Sequence, residues 1–190
     1  MRINRIWSAF QVGFLVSATL FLVGATTMAS LYDRETSVSN SFTAGVSSDV
    51  DVVLNEFVPN PTGDDDALMP DGEWVELYNK GNWPIDVSGW YIYDIDNNGI
   101  EINSSRIVGG NTTIFAKGYL VVFRDAGGSF ELTNTADQVK LYDDIISSGI
   151  LIDSFLYTGS VENRSWARVP DGTGSWVGNR TLTQGVTNGL

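Results

Sequence analysis

The side chains able to do chemistry here are carboxylates, hydroxyls and lysines, because the 190 residues include no histidine and no cysteine. That absence excludes a cysteine nucleophile, a Ser-His-Asp relay, a conventional His/Cys zinc site and any disulfide framework. Cation binding and paired-carboxylate acid–base work remain. In "DIDNNG", Asp94, Asp96 and Asn98 stand at alternate positions before Gly99. This is the opening of a calcium loop, in which oxygens at positions one, three and five wrap the ion and glycine permits the turn. The twelfth position is Ser105, not a bidentate glutamate, and the flanks read as strands, so an EF-hand is not implied. Glu101, a backbone carbonyl or the run Asp64 to Asp66 would complete a weak extracellular-type shell. The competing reading is a polar hairpin turn, since Asp, Asn and Gly favour turns with or without a metal.

Carboxylate pairs are the second candidate. Glu73 and Glu76 in "EWVELYN" are three apart, so in a strand they point to opposite faces and cannot flank one scissile bond. One of them is expected outward and solvated, the other bonded to a turn or sheet edge. A glycosidase pair drawn from different strands, Glu56 with Glu76 or Asp86, is a remote alternative, because so acidic a chain offers many such pairs. Trp74 and Trp90 read as core or sheet-covering aromatics, with Trp90 largely buried. In "SWARVPDGTGSW", Trp166 and Arg168 precede an Asp-Gly turn that closes a last hairpin. Arg168 is expected to clasp an acidic strand or an aromatic face; the alternative is an exposed ligand patch. Asn103, Asn111, Asn163 and Asn179 head Asn-x-Ser/Thr sequences and are glycan acceptors only where the host supplies the machinery.

The elements that must position these groups are strands. "DVVLNEF", "EWVELYN", "WPIDVSGWYIYD", "GYLVVF", "DQVKLYD" and "ILIDSFLY" are short, β-branched and aromatic, and Gly, Asn, Asp and Pro clusters separate them. In "DQVKLYD", Val139 and Leu141 share one face and Gln138, Lys140 and Tyr142 the other, the pattern of a strand with one buried side. No segment from Asp51 onward keeps a helical period. About seven such strands describe an all-β antiparallel sandwich.

The N-terminus differs. Arg2 and Arg5, the apolar run "VGFLVSATLFLVGA" and small residues at Thr27 and Ala29 read as an export signal over residues 1–29, in helical form, with a retained membrane anchor as the alternative. Removal takes away only two of eleven basic residues against 23 acidic ones, so the exported part is strongly acidic. Such a surface argues against nucleic-acid binding and against membrane contact other than through the N-terminal segment. Residues 30–50 read as a linker. Within them "LYDRETSVSNSFTAG" resembles the segment that follows the signal in camelysin- and TasA-type matrix proteins, which implies export.

From residues 51 to 188 a broader resemblance appears. "VVLNEFVPNP", "GEWVELYNKGNWPIDVSGWYIYD", "GYLVVF", "LTNTADQVKLYD", "IDSFLY" and "SWARVPDGTGSW" follow one another as in the lamin-tail domain. Glu-Trp-Val-Glu-Leu-x-Asn followed by Ser-Gly-Trp is its most specific part, and the acidic loop "TGDDDALMPDGE" departs from it. The resemblance implies an immunoglobulin-like β-sandwich without known catalytic activity. The expected protein is a secreted or cell-surface, non-enzymatic adhesion or scaffolding module whose partner is a cell-envelope or extracellular protein or polysaccharide. The alternative is a self-assembling matrix subunit. Calcium is the one cofactor the residues suggest.

Overall fold

The computed structural model describes residues 50–126 and 128–189, part of a compact unit that runs from Val46 to Leu190. The expected signal or anchor (1–29), and the linker apart from its last residue, lie outside the described residues. Among the described residues eleven strands follow in order: β1 (Val52–Val58), β2 (Trp74–Asn79), β3 (Ile85–Asp86), β4 (Tyr91–Tyr93), β5 (Gly99–Glu101), β6 (Thr113–Ile114), β7 (Tyr119–Phe123), β8 (Ala136–Tyr142), β9 (Leu151–Thr158), β10 (Ser165–Val169) and β11 (Ser175–Arg180). Among the described residues the one helical element is the 3-10 turn Ser104–Arg106, which Asn103 caps by accepting from the Ser105 amide.

The strands build a five-stranded sheet in the order β11-β10-β1-β2-β7, a four-stranded sheet β5-β4-β8-β9 and a short β3-β6 ribbon, all antiparallel. The two larger sheets share one core. Val52, Leu54, Phe57, Val75, Leu77 and Val122 face Ile92, Val139, Leu141 and Tyr157 across it. Val139 and Leu141 are both fully buried, as their alternation requires. A smaller cluster of Val58, Trp74 and Phe123, covered by Met69 and Leu182, lies apart from it.

Strand faces are set by one irregularity. Leu54 pairs with Leu77 and Glu56 pairs with Glu76, so the register slips by one residue at Asn55. Without the bulge, Leu54 and Glu56 would share the core face; with it, Glu56 turns to the opposite face and joins Val58. β2 needs no bulge: Val75 and Leu77 point inward, Trp74 and Glu76 outward.

One expectation fails. Glu73 and Glu76 do point to opposite sides, but neither is solvated, since both are fully buried. Bonded partners inside the fold replace water at each. Trp90, the residue just before β4, is partly buried and packs against the main core.

Candidate functional site

The densest polar assembly lies where the C-terminal segment crosses the outer face of the five-stranded sheet. Glu56 and Glu76 face each other there from adjacent strands. Glu76 accepts from Asn55 Nδ2 at 2.9 Å and from the Gly185 amide at 2.6 Å. Glu56 accepts from the Thr183 amide at 3.1 Å. Asp171, in the β10–β11 turn, accepts from Asn55 Nδ2, the Asn188 amide, the Tyr119 hydroxyl and, at 2.6 Å, the Thr187 hydroxyl. Asn55 Oδ1 in turn accepts from the Gly172 amide at 2.9 Å. Gly172 has φ +68°, and a Cβ there would meet the Tyr78 ring at 2.6 Å, so only glycine closes this turn.

Burial sets the protonation of the pair. It pushes the Glu76 carboxyl up to about 8, and Glu56 and Asp171 add like-charge repulsion. Glu56 also rises with burial, against the bonds from Thr183. The oxygens around Thr183 point the same way. Its Oγ1 lies 2.8 Å from Glu56 Oε2 and 2.6 Å from Asn188 Oδ1. The Asn188 amide is oriented by Nδ2 donating to the carbonyls of Asn55 and Arg168. One hydroxyl proton cannot serve two acceptors, so both contacts are hydrogen bonds when Glu56 carries a proton. Asp171 behaves oppositely: burial raises it, but its four bonds outweigh that and hold it below the usual carboxylate range.

The structure thus brings together Glu56 and Glu76, one of the pairs considered for glycoside hydrolysis, but both are fully buried beneath residues 183–188. No substrate bond reaches between them in this arrangement. Asp86 is elsewhere, exposed on the β3–β6 ribbon, where bonds from Thr112 and Ser88 lower it.

Two ion pairs tie the remaining motifs. Buried Glu73 meets Arg124 at 2.9 Å and accepts from the Leu132 amide; burial pushes its carboxyl up, against the pull of that guanidinium. Arg168 grips Asp153 through Nη2 at 2.8 and 3.1 Å and donates from Nε to the Leu54 carbonyl. Its guanidinium also sits 4.8 Å from the Trp176 ring centroid. Asp153 accepts from the Leu54 amide, so this clasp satisfies both backbone groups of Leu54 beside the bulge. Arg168 is therefore a clasp of the fold, as its sequence setting suggested.

Asp94, Asp96 and Asn98 share the β4–β5 turn. Asp94 is buried and accepts from the Asn98 amide at 2.8 Å and from Asn98 Nδ2 at 2.9 Å. Asp96 is exposed. The Lys140 ammonium, beneath the turn, donates to Asn97 Oδ1 at 2.6 Å and to the Ile95 carbonyl. Hydrogen bonds thus already hold the loop in shape. Among the described residues no group of three or more acidic side chains is placed to hold a metal.

At the end of β2, sequence reasoning missed a feature. Asn79, fully buried, donates from Nδ2 to the carbonyls of Trp83 at 2.7 Å and Ile114 at 3.0 Å, and accepts from the Gly81 amide at 2.9 Å. It pins two loops together, and each loop projects an aromatic: Trp83 is 79% exposed and Phe115 64%. "WPID" reads as a strand start, yet Trp83 stands in the turn before β3. An aromatic next to Pro84 between polar turn residues was the available signal. At the opposite end of β2, around Trp74, a cleft of about 390 Å³ opens among Pro61, Pro70, Leu182 and Val186.

An antiparallel two-sheet sandwich with one shared core defines the class, an immunoglobulin-like β-domain. Its Glu-Trp-Val-Glu-Leu-x-Asn strand supplies the buried Glu73, Trp74, Glu76 and Asn79 that tie down neighbouring loops. The Lamin Tail Domain family matches residues 46–159, more than half of the chain, and the chain belongs to that family. β1 to β9 fall inside the match, and β10 and β11 lie beyond it. No curated protein and no solved structure matches the chain.

Proposed function

We propose that this chain is an exported, non-enzymatic lamin-tail module that acts at the cell surface or in the extracellular matrix, in adhesion or scaffolding. The observation that carries the reading is the sealing of the paired carboxylates. Glu56 and Glu76 are buried beneath the C-terminal segment and engaged in its hydrogen bonds, while rigidly held aromatics face outward at the end of β2. Acid–base chemistry needs the first exposed; a binding module needs the second. The basic start and apolar run of the N-terminus support export, and the acidic composition supports a protein or polysaccharide partner over nucleic acid.

The test incubates the purified full chain with isolated cell envelopes of the producing organism. Saturable co-sedimentation without release of reducing ends is the expected result. A protein that stays wholly in the supernatant overturns the binding reading. Sugar release that Glu76→Gln abolishes would establish the glycosidase alternative.

A further inference from the structure

The two ends of β2 present different surfaces. One end carries Trp83 and Phe115, two large apolar side chains on loops that buried Asn79 locks together. Both rings stand exposed to water. Lys80 and Lys117 flank them, with the Lys117 ammonium donating to the Lys80 carbonyl. Among the described residues the salt bridges are Arg124–Glu73 and Arg168–Asp153, so neither lysine is bound to a carboxylate. Acids at this end are Asp51, beside Gly81, and Asp86, which is bonded to Thr112 on the ribbon.

The other end, about 17 Å away along the strand, carries the cleft. Trp74, itself almost fully buried, lines its apolar side with Leu182 and Val186, the latter 57% exposed, and Thr62, Asn163 and Gln184 make up a polar side. Its volume of about 390 Å³ leaves room for an aromatic side chain. Asp71 stands in its wall. The neighbouring loop carries exposed Asp64 and Asp66, beside half-buried Asp65 and exposed Leu68.

We propose that the chain associates head to tail with a second copy of itself. Trp83 and Phe115 of one copy enter the Trp74 cleft of the next, and Lys80 and Lys117 meet Asp64, Asp66 and Asp71. The inference rests on the scaffolding reading and names the partner of that scaffold as another copy of this chain. Charge selects this occupant: the aromatic end carries two lysines with no carboxylate partner in a chain whose net charge is −12, and the cleft, part polar and part apolar in its lining, has Asp71 in its wall. An aromatic ring contributes about 150–250 Å² of burial, and tryptophan is enriched among the few residues that dominate binding energy. Because knob and cleft lie at opposite ends, the contact is heterologous. It extends into a linear chain of copies instead of closing as a two-fold dimer.

Sedimentation velocity on the purified full chain tests this across micromolar to millimolar concentration. The average mass is expected to rise past that of a dimer, and to fall at high salt. Lys80→Glu with Lys117→Glu, and separately Asp64→Lys with Asp66→Lys and Asp71→Lys, should each give a monomer. An equimolar mixture of the two variants restores both contacts in alternation and should regain the wild-type mass, which shows that each variant is folded. Trp83→Ala with Phe115→Ala should stay monomeric alone and in any mixture that needs its knob. A wild type that remains monomeric, one that stops at a closed dimer, or variants that fail to complement would overturn the proposal. So would a monomer that binds a polysaccharide or lipid vesicles through Trp83. A monomer that still co-sediments with envelopes refutes the head-to-tail contact alone, whereas a chain-forming protein that ignores envelopes refutes envelope binding alone.

Discussion

Glu56 and Glu76 are direct cross-strand partners on β1 and β2, both fully buried, and neither faces a cation. Two carboxylates in that position repel when ionised. The arrangement is tolerable because donors from Asn55, Thr183 and Gly185 surround them and because burial favours the protonated form. The C-terminal segment is thus fastened by groups whose charge depends on pH.

That dependence has a definite sign. Glu76 is raised in the folded state from 4.5 to about 8. Its contribution to stability is complete below about pH 4.5 and is lost as pH rises through 8. Glu56 acts in the same direction. Asp171, lowered from 3.8, contributes above that value and loses its contribution as the pH falls further. The melting temperature is therefore expected to decline from pH 5 to pH 8.5, and Glu76→Gln should flatten the decline. A wild-type profile that climbs over this range would show both carboxyls to be ionised in the fold.

Trp74 and Trp90 should separate cleanly by mutation. Trp74 is 4% exposed in the outer cluster, whereas Trp90 is half-buried at the core's edge. Trp74→Ala is expected to cost about 3–5 kcal/mol, as for a buried aromatic. Trp90→Ala should cost roughly half that. Urea denaturation of the two variants measures the difference, and equal losses would place Trp90 in the core after all.

Calcium decides the role of the β4–β5 turn. Both oxygens of Asp94 accept from Asn98, and the Lys140 ammonium donates to the same loop, so the turn is held without an ion and a positive charge already stands beside it. Millimolar calcium is expected to leave the melting temperature unchanged, while Asp94→Ala lowers stability by about 1–2 kcal/mol through lost turn bonds. A calcium-induced rise that Asp96→Ala abolishes would instead establish Asp94, Asp96 and Asn98 as a weak calcium site.

Much of this protein is legible in its residues. Alternation in "DQVKLYD" places Val139 and Leu141 in the core, the absence of histidine and cysteine removes whole classes of chemistry, and "EWVELYN" with "SGW" points to the family that the chain proves to match. The turn at "DIDNNG" follows from turn chemistry, and the Arg168 clasp from a cation beside tryptophans in an acidic chain.

The face of Glu56 and the burial of Glu73 and Glu76 could not be read in the same way. Strand parity puts Glu56 beside Leu54 in the core, but a bulge at Asn55 turns it over, and that bulge is held by Asp171, Gly172 and Asn188 from more than a hundred residues away. Thr183 covers Glu56 across a separation of 127 residues. The exposure of Trp83 is likewise fixed by Asn79 reaching Ile114, 35 residues on. Side-chain period is a local property of the backbone, so the sequence by itself determined the strands, the acidic surface and the family. Which carboxylates are buried and which aromatics face water depends on contacts between segments remote in the chain, and only the folded sandwich brings those segments together.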